Sequence, residues 1–305
     1  MEYNEDQIID LPITHPEAIR QLKILETITA ENKVIDWNNN KPVVFLPAGT
    51  RLSNKFTLSD GRMVTVKNLL TNGDQNTKLA KSNRRQKKFK TFGLSLAPAT
   101  LAGVGNMCPH ASPACKAHCL DGSGMRSVWE SIHIGKIAKT IVFNSHRQWF
   151  LDRLATELTN KEKTANKAGH RLAVRLNVLS DYPWETTGIV DAFPQIEFYD
   201  YTKNPKRAGQ LRPNYWVTFS RSEVNQRATI DTLRAGNNAA VVFASMAGRK
   251  FTELPTTWEG FDVIDGDETD LRFLDRRGVV VGLKLKTATN AEYETALETG
   301  FPVVV

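Results

Sequence analysis

Arg171-Leu172-Ala173-Val174-Arg175-Leu176-Asn177-Val178-Leu179-Ser180-Asp181 is the stretch that decides the fold. Its even positions, Leu172, Val174, Leu176 and Val178, are apolar, while Arg175 and Asn177 fall on odd positions. Successive side chains of a strand face opposite sides. The pattern therefore predicts a strand with one face against helices and a polar face towards a lumen or cleft. An antiparallel strand with one wet face alternates in the same way and is the competing reading. Ser180 and Asp181 then lie just past the carboxyl end, where parallel α/β folds bind their ligands.

Similar apolar runs follow on both sides. Phe92–Leu96, Leu172–Leu179, Ile196–Thr202, Tyr215–Ser220, Ala239–Ala244, Phe261–Asp265, Val279–Lys284 and Phe301–Val305 all read as strands. Helical spacing occupies Arg126 to Val142, with apolar residues at 128, 132, 134, 137, 138, 141 and 142. Ser145-His146-Arg147-Gln148 resembles a capping box restarting a helix that ends near Leu158. Glu223–Leu233 and Asn290–Leu297 also read as helical. This alternation predicts an α/β fold with a mostly parallel sheet. Eight strands suggest a (β/α) barrel over residues 91–305. That length is short of the roughly 250 residues typical of the closed form, so a partial or irregular barrel is an equal expectation. Residues 1–90 read as a mixed α+β extension: helical spacing from Pro16 to Ala30, strands at Val43–Leu46 and Met63–Val66, and a polar, basic segment from 73 to 90.

The composition is globular: 305 residues, 41% hydrophobic and 24% charged. No apolar run approaches the roughly 18 residues of a membrane span, and the acidic, polar start Met1-Glu2-Tyr3-Asn4-Glu5-Asp6 is not expected to be a signal peptide. Three cysteines confined to residues 108–119 argue for a reducing compartment, so the expected location is the cytoplasm, with no membrane partner. The net charge of +7 is concentrated. Lys78, Lys81, Arg84, Arg85, Lys87, Lys88, Lys90 and Lys116 lie in a segment, Gln75 to Leu120, that has no Asp or Glu. The first seven form a candidate nucleic-acid-binding tract; a solvated, flexible segment is the plainer reading.

Polar residues collect at the ends of four of these strands: Ser180 and Asp181; Asp200, Thr202 and Lys203; Ser220, Arg221 and Ser222; Asp265, Asp267, Glu268 and Asp270. Asp181, Asp200, Asp267 and Glu268 are the acid–base candidates. Arg175, Asn177, Lys203, Ser220 and Arg221 are candidate substrate-binding residues, since guanidinium forks match phosphates and carboxylates. Ser and Asp also cap helices, so the enrichment as a set carries the inference, not any one residue.

Met107-Cys108-Pro109-His110-Ala111-Ser112-Pro113-Ala114-Cys115-Lys116-Ala117-His118-Cys119 follows the first barrel-like strand with spacing C-x6-C-x3-C. Cys108, Cys115 and Cys119 with His110 or His118 would close a tetrahedral zinc site. Alternatively, the three thiolates would hold three irons of a [4Fe–4S] cluster and leave the fourth open. Three buried free cysteines are the third reading.

The loop's position resembles that of radical S-adenosylmethionine enzymes, and the resemblance implies S-adenosylmethionine as a further cofactor. Their usual C-x3-C-x2-C spacing is not kept, and Ser180-Asp181-Tyr182 replaces their Gly-Gly-Glu segment. A closer resemblance rests on Gly93-Leu94-Ser95-Leu96-Ala97-Pro98, Cys108-Pro109-His110-Ala111-Ser112-Pro113-Ala114-Cys115, Arg175-Leu176-Asn177 with Ser180-Asp181, and Phe198-Tyr199-Asp200-Tyr201-Thr202-Lys203-Asn204-Pro205. Thr218-Phe219-Ser220-Arg221-Ser222-Glu223 and Ile264-Asp265-Gly266-Asp267-Glu268 extend it. These motifs are similar to uncharacterised bacteriophage and prophage proteins of the gene product 88 group. The resemblance implies a viral origin and a cysteine-bound centre in a barrel-like fold, and no reaction.

Two functions follow as expectations. One is a metal- or iron–sulfur-dependent enzyme acting on nucleic acid or a nucleotide, with a base-exchanging transglycosylase as a variant that would use an aspartate nucleophile. The other is a non-catalytic, zinc-stabilised protein that binds nucleic acid or a host protein.

Overall fold

The computed structural model describes residues 63–75, 77–119, 130–246, 248, 253–287 and 289–305, together with the strand segments 33–36, 41–44 and 55–57. The helix expected over Pro16–Ala30 lies outside these residues. Two small antiparallel pairs open the described chain: β1 (Lys33–Asp36) with β2 (Lys41–Val44), and β3 (Lys55–Thr57) with β4 (Met63–Thr65).

All eight expected strands form, and they share one eleven-stranded sheet. In chain order it contains β5 (Leu70–Asn72), β6 (Phe89–Leu94), β7 (Arg171–Arg175), β8 (Glu197–Thr202), β9 (Gly209–Arg212), β10 (Tyr215–Ser220), β11 (Ala239–Ala244), β12 (Thr257–Trp258), β13 (Phe261–Asp265), β14 (Val280–Lys284) and β15 (Val303–Val304). The spatial order is β12-β13-β14-β11-β10-β8-β7-β6-β5, with β9 beside β10 and β15 beside β11. From β6 to β13 every neighbour along this path is parallel.

The barrel is not formed: the sheet is open. Progress around a barrel stops where β14 inserts between β11 and β13, reversing the order. Each edge is then finished by a short antiparallel strand, β5 on β6 and β12 on β13, so the two edges do not meet. The helical layer is also too sparse for a closed barrel, which alternates one helix with each strand. The described residues contain six α-helices: α1 (Thr77–Arg85), α2 (Pro113–Ala117), α3 (Glu130–Ser145), α4 (Arg147–Lys167), α5 (Gln226–Arg234) and α6 (Asn290–Glu298). The link from β7 to β8 carries only a 3-10 turn at Trp184–Thr186.

Period-two alternation sorts the core as the sequence suggests. Leu172, Val174 and Leu176 join Phe92, Phe198, Val217 and the α4 residues Trp149, Leu154 and Leu158 on one face. Ala173 packs on the other face with Leu79 of α1, Phe89, Tyr199 and Leu271. Parallel strands buried on both faces are expected of such a sheet. α4 runs past Leu158 to Lys167, and its N-cap is His146 without a side-chain capping bond, so the expected capping box is absent. The added turns rest on polar residues that favour helix, Lys161, Glu162 and Lys163 among them.

One buried carboxylate ties edge strand to helix. Glu157 of α4 accepts from the amides of Leu69 and Leu70 at 2.9 Å each, and Arg153 donates to it at 3.0 Å. Lys139 of α3 donates to the Leu69 carbonyl at 2.9 Å; burial lowers its pKa to about 8, against the opposing charge of Glu157.

Candidate active site

The carboxyl ends of β7, β8, β10, β11 and β14 surround a cavity of about 190 Å³. Its lining includes Cys108, Cys115, His118 and Cys119 from the loop after β6, Arg175, Asn177 and Asp181 after β7, and Lys203 and Ser220 after β8 and β10. Nine residues singled out in the sequence thus meet at one opening. Lys284 and Lys286 beyond β14, Tyr201 and Phe301 complete its polar and aromatic wall.

The cysteine loop is fastened to the sheet by main-chain contacts. The Asp181 amide donates to the Met107 carbonyl at 2.8 Å, and the Met107 amide donates to the Ala99 carbonyl at 2.9 Å. Ala99 itself adopts φ 47°, a left-handed conformation that an alanine enters only at a steric cost. Ser112 caps the short α2 through its hydroxyl, which accepts from the Cys115 amide at 3.2 Å. Glu223, just beyond β10, then grips this turn: it accepts from Ser112 Oγ at 2.7 Å and from the Ala114 amide at 3.0 Å.

The three thiols are half-buried along the cavity wall. Cys108 Sγ donates to the Leu179 carbonyl at 3.6 Å, and burial pushes its pKa up to about 12. Burial also raises Cys115, against the nearby charge of Lys203. Among the described residues, His118 Nε2 is buried without a hydrogen-bond partner. The donor types fit a thiophilic metal, three thiols and one imidazole bordering a single cavity. Their positions do not form a finished cage: among the described residues, no three His, Cys, Asp or Glu side chains stand together as a metal site. His110 is exposed and outside the cavity lining.

Several polar candidates turn out to be cross-braced. Arg175 donates to both oxygens of Asp270 at 3.0 and 3.2 Å and to the Asn177 carbonyl at 3.2 Å, with its guanidinium 4.5 Å above the Tyr201 ring. Asn177 is saturated: its Oδ1 accepts from Ser180, Tyr182 and Trp184, and its Nδ2 donates to Tyr182 and Asp200. Asp181 accepts from the Lys203 amide at 2.8 Å and from Arg207 at 2.7 Å. Lys203 Nζ donates to Ser220 Oγ at 2.9 Å and to the Arg221 carbonyl at 3.3 Å. No described carboxylate lies within ion-pair distance of Lys203.

The other candidates lie behind or beside the cavity. Asp200 is fully buried one layer below Asn177, accepting from its amide at 2.6 Å and from Tyr215 Oη at 2.7 Å. Burial raises its pKa to about 7, although these bonds oppose the shift. Asp267 accepts from the Lys284 amide at 3.0 Å and pairs with Lys286, so it orients two cavity lysines from outside. Glu268 points away and pairs with Arg85 at 2.8 Å. Arg221 donates to Gln226, Gly300 and Phe301 and is not part of the lining.

The basic tract is split along the fold. Lys81, midway along α1, donates to the Asp267 carbonyl at 3.3 Å, which ties the helix to the turn whose Asp267 pairs with the cavity lysine Lys286. Lys87 and Lys88 stand at the opposite, amino-terminal edge of the strands, where their carbonyls take His170 Nδ1 and the Arg171 amide. Arg84, Lys87 and Lys88 are exposed, and Lys90 pairs with Asp74. The side chain of Lys78 lies outside the described residues.

Sequence reading gave no role to Arg207, Glu185 or Glu223. Arg207 is a buried hub: it pairs with Asp181 at 2.7 Å and with Glu185 at 2.5 Å, and donates to the carbonyl of Tyr182. The available signal was Asp181 and Glu185, two acids one helical turn apart with no cation between them.

An open, mostly parallel α/β sheet with a cysteine-lined cavity at its strand ends is the class that fold and site define. The chain belongs to the Gene product 88 family, a phage-related family, whose description it matches over residues 68–298. That match lends no support to the radical S-adenosylmethionine resemblance. No curated protein and no solved structure matches the chain. Among the described residues, no helix is long and apolar enough to cross a membrane.

Proposed function

We propose that this chain is an enzyme with a cysteine-ligated centre, zinc or a [4Fe–4S] cluster, that acts on nucleic acid or a nucleotide. One observation carries the reading: Cys108, Cys115 and Cys119 open onto the same cavity as Asp181, Lys203 and Arg175. Strand carboxyl ends are where parallel α/β enzymes build their sites, and the buried His118 Nε2, without a hydrogen-bond partner among the described residues, borders the same cavity as the half-buried thiols. When bound, a zinc ion would polarise an oxygen and an open iron would take a substrate atom; S-adenosylmethionine belongs only to the iron–sulfur form. The chain's own groups supply the rest. Lys203 offers a cation to a phosphate or carboxylate, and Asp181, paired with Arg207, fixes the Lys203 backbone and lines the cavity.

The test is elemental. Protein prepared without oxygen should hold iron with acid-labile sulfide, or one zinc, and Cys115→Ala should lose most of it. Sub-stoichiometric metal, unchanged by the substitution, removes the centre from the proposal.

A second reading, a non-catalytic binding protein, is favoured by the bracing of Asp181, Asn177 and Arg175, whose hydrogen bonds go largely to the protein itself. Such a protein would hold nucleic acid or a host protein and turn over nothing; turnover of a nucleotide or oligonucleotide separates the two.

A further inference from the structure

Building on that reading, we propose that the cavity receives a single base extruded from a nucleic-acid strand, whose phosphates run from Lys286 across to α1. Size is the first argument. The space of about 190 Å³ lies below the roughly 300 Å³ at which pockets for whole drug-sized ligands begin. A nucleotide with its sugar and phosphate is of that larger class; a base alone is not.

The second argument is the wall. Val178, Leu179, Val242, Leu283, Leu285 and Phe301 give a largely apolar lining of the kind that encloses the faces of a flipped base. The third is the mouth. Asp267 pairs with Lys286 and holds the Lys284 amide, while its own carbonyl accepts from Lys81 of α1. The next residue, Glu268, meets Arg85. The turn from Asp265 to Glu268 thus joins the cavity lysines to the basic helix. Arg84 is exposed farther along that helix. Lys284, Lys286 and Arg85 are each paired with a carboxylate of that turn, Asp265, Asp267 and Glu268, so a strand laid along them replaces those partners and stays outside while one base turns in. Bases that are mismatched or unpaired cost least to extrude.

The probe is a short DNA duplex carrying 2-aminopurine opposite a mismatch, mixed with the full-length protein at low salt. The expected result is binding together with a rise in 2-aminopurine fluorescence, as leaving the stack relieves its quenching. Leu285→Trp, which fills the cavity, should abolish that rise while the duplex still binds with the same salt slope. If that variant does not fold by circular dichroism, Leu285→Phe takes its place. Binding without a fluorescence change overturns the inference and leaves the nucleic-acid reading standing. Competition by free nucleotide at equal concentration also overturns it, making the ligand a small molecule. A duplex and a single strand that both fail to bind remove the parent reading as well.

Discussion

The carboxylate of Asp181 accepts the backbone amide of Lys203 at 2.8 Å, so the end of β7 holds the end of β8. Arg207 completes the brace from the other oxygen at 2.7 Å. The cavity floor is therefore built from charges that spend part of their bonding on one another, and the groups left for a ligand are those at the rim.

Arg207 is expected to be critical for folding. Its side chain is 8% exposed and serves Asp181 and Glu185 together. Arg207→Met leaves two carboxylates facing each other without a cation, and breaking such a pair costs about 3–5 kcal/mol. Denaturant unfolding should show a loss of that size. A loss under about 1 kcal/mol would mean that the brace is dispensable.

Lys203 should behave in the opposite way. Lys203→Met removes bonds to Ser220 and the Arg221 carbonyl, worth about 1 kcal/mol together after solvent exchange. Affinity for a phosphate-bearing probe should fall far more than stability does. Titration of an oligonucleotide against wild type and variant, with melting curves beside it, gives the comparison.

Glu223 is expected to keep the cysteine loop closed. Glu223→Ala deletes the acceptors of Ser112 Oγ and the Ala114 amide. The global cost should be near 1–2 kcal/mol. Locally, Cys115 should react faster with a thiol reagent. Equal alkylation rates in the two proteins would show that the loop is held by its main-chain contacts alone.

Asp200 sets a pH dependence of known sign. Its folded pKa is raised to about 7 by burial, above the ordinary 3.8. The folded state thus binds the proton more tightly, and the stabilisation is complete below about pH 4. It is lost as pH rises through 7, at up to about 1.4 kcal/mol per pH unit. Asp200→Asn cannot titrate, so the stability of wild type relative to this variant should fall between pH 5 and 8. A constant difference across that window contradicts the assignment.

The tract on α1 should bind phosphates without sequence preference. Replacing Arg84, Arg85, Lys87 and Lys88 with Ser ought to flatten the dependence of oligonucleotide affinity on salt, by up to about one unit of log–log slope for each phosphate left without its cation. Because Lys87 and Lys88 sit at the far edge of the sheet, restoring Arg84 and Arg85 alone should recover most of the effect.

The strands were legible because each is an apolar run bounded by turn residues, and alternation placed Leu172, Val174 and Leu176 on one face; it failed for Val178, which lies past the end of β7 and lines the cavity with Arg175. Closure was not legible. Alternation says which way a side chain faces, whereas lateral order depends on where β14 docks, and nothing local in Val279–Lys284 says that it enters between β11 and β13. The site was legible where it consists of strand ends, as with Asp181, Lys203 and Ser220. It was hidden where it consists of ties: Arg207 reaches Asp181 across 26 residues, and Glu223 reaches Ala114 across 109. The pairing of Glu268 with Arg85 was hidden for the same reason.

The crossover from Leu94 to Arg171 has a kinetic consequence. It carries α2, α3, α4 and the cysteine loop, and it must close before β6 and β7 can pair. The links from β8 through β10 to β11 are far shorter, and short links form first because closing them costs less entropy. Refolding should therefore assemble the β8–β10–β11 half early, with the half bearing β5, β6 and α4 arriving later. The cavity straddles that seam, so its thiols stay open to oxidation until the final docking step. A chain refolded in air should lose its function to cysteine chemistry long before its secondary structure shows any fault.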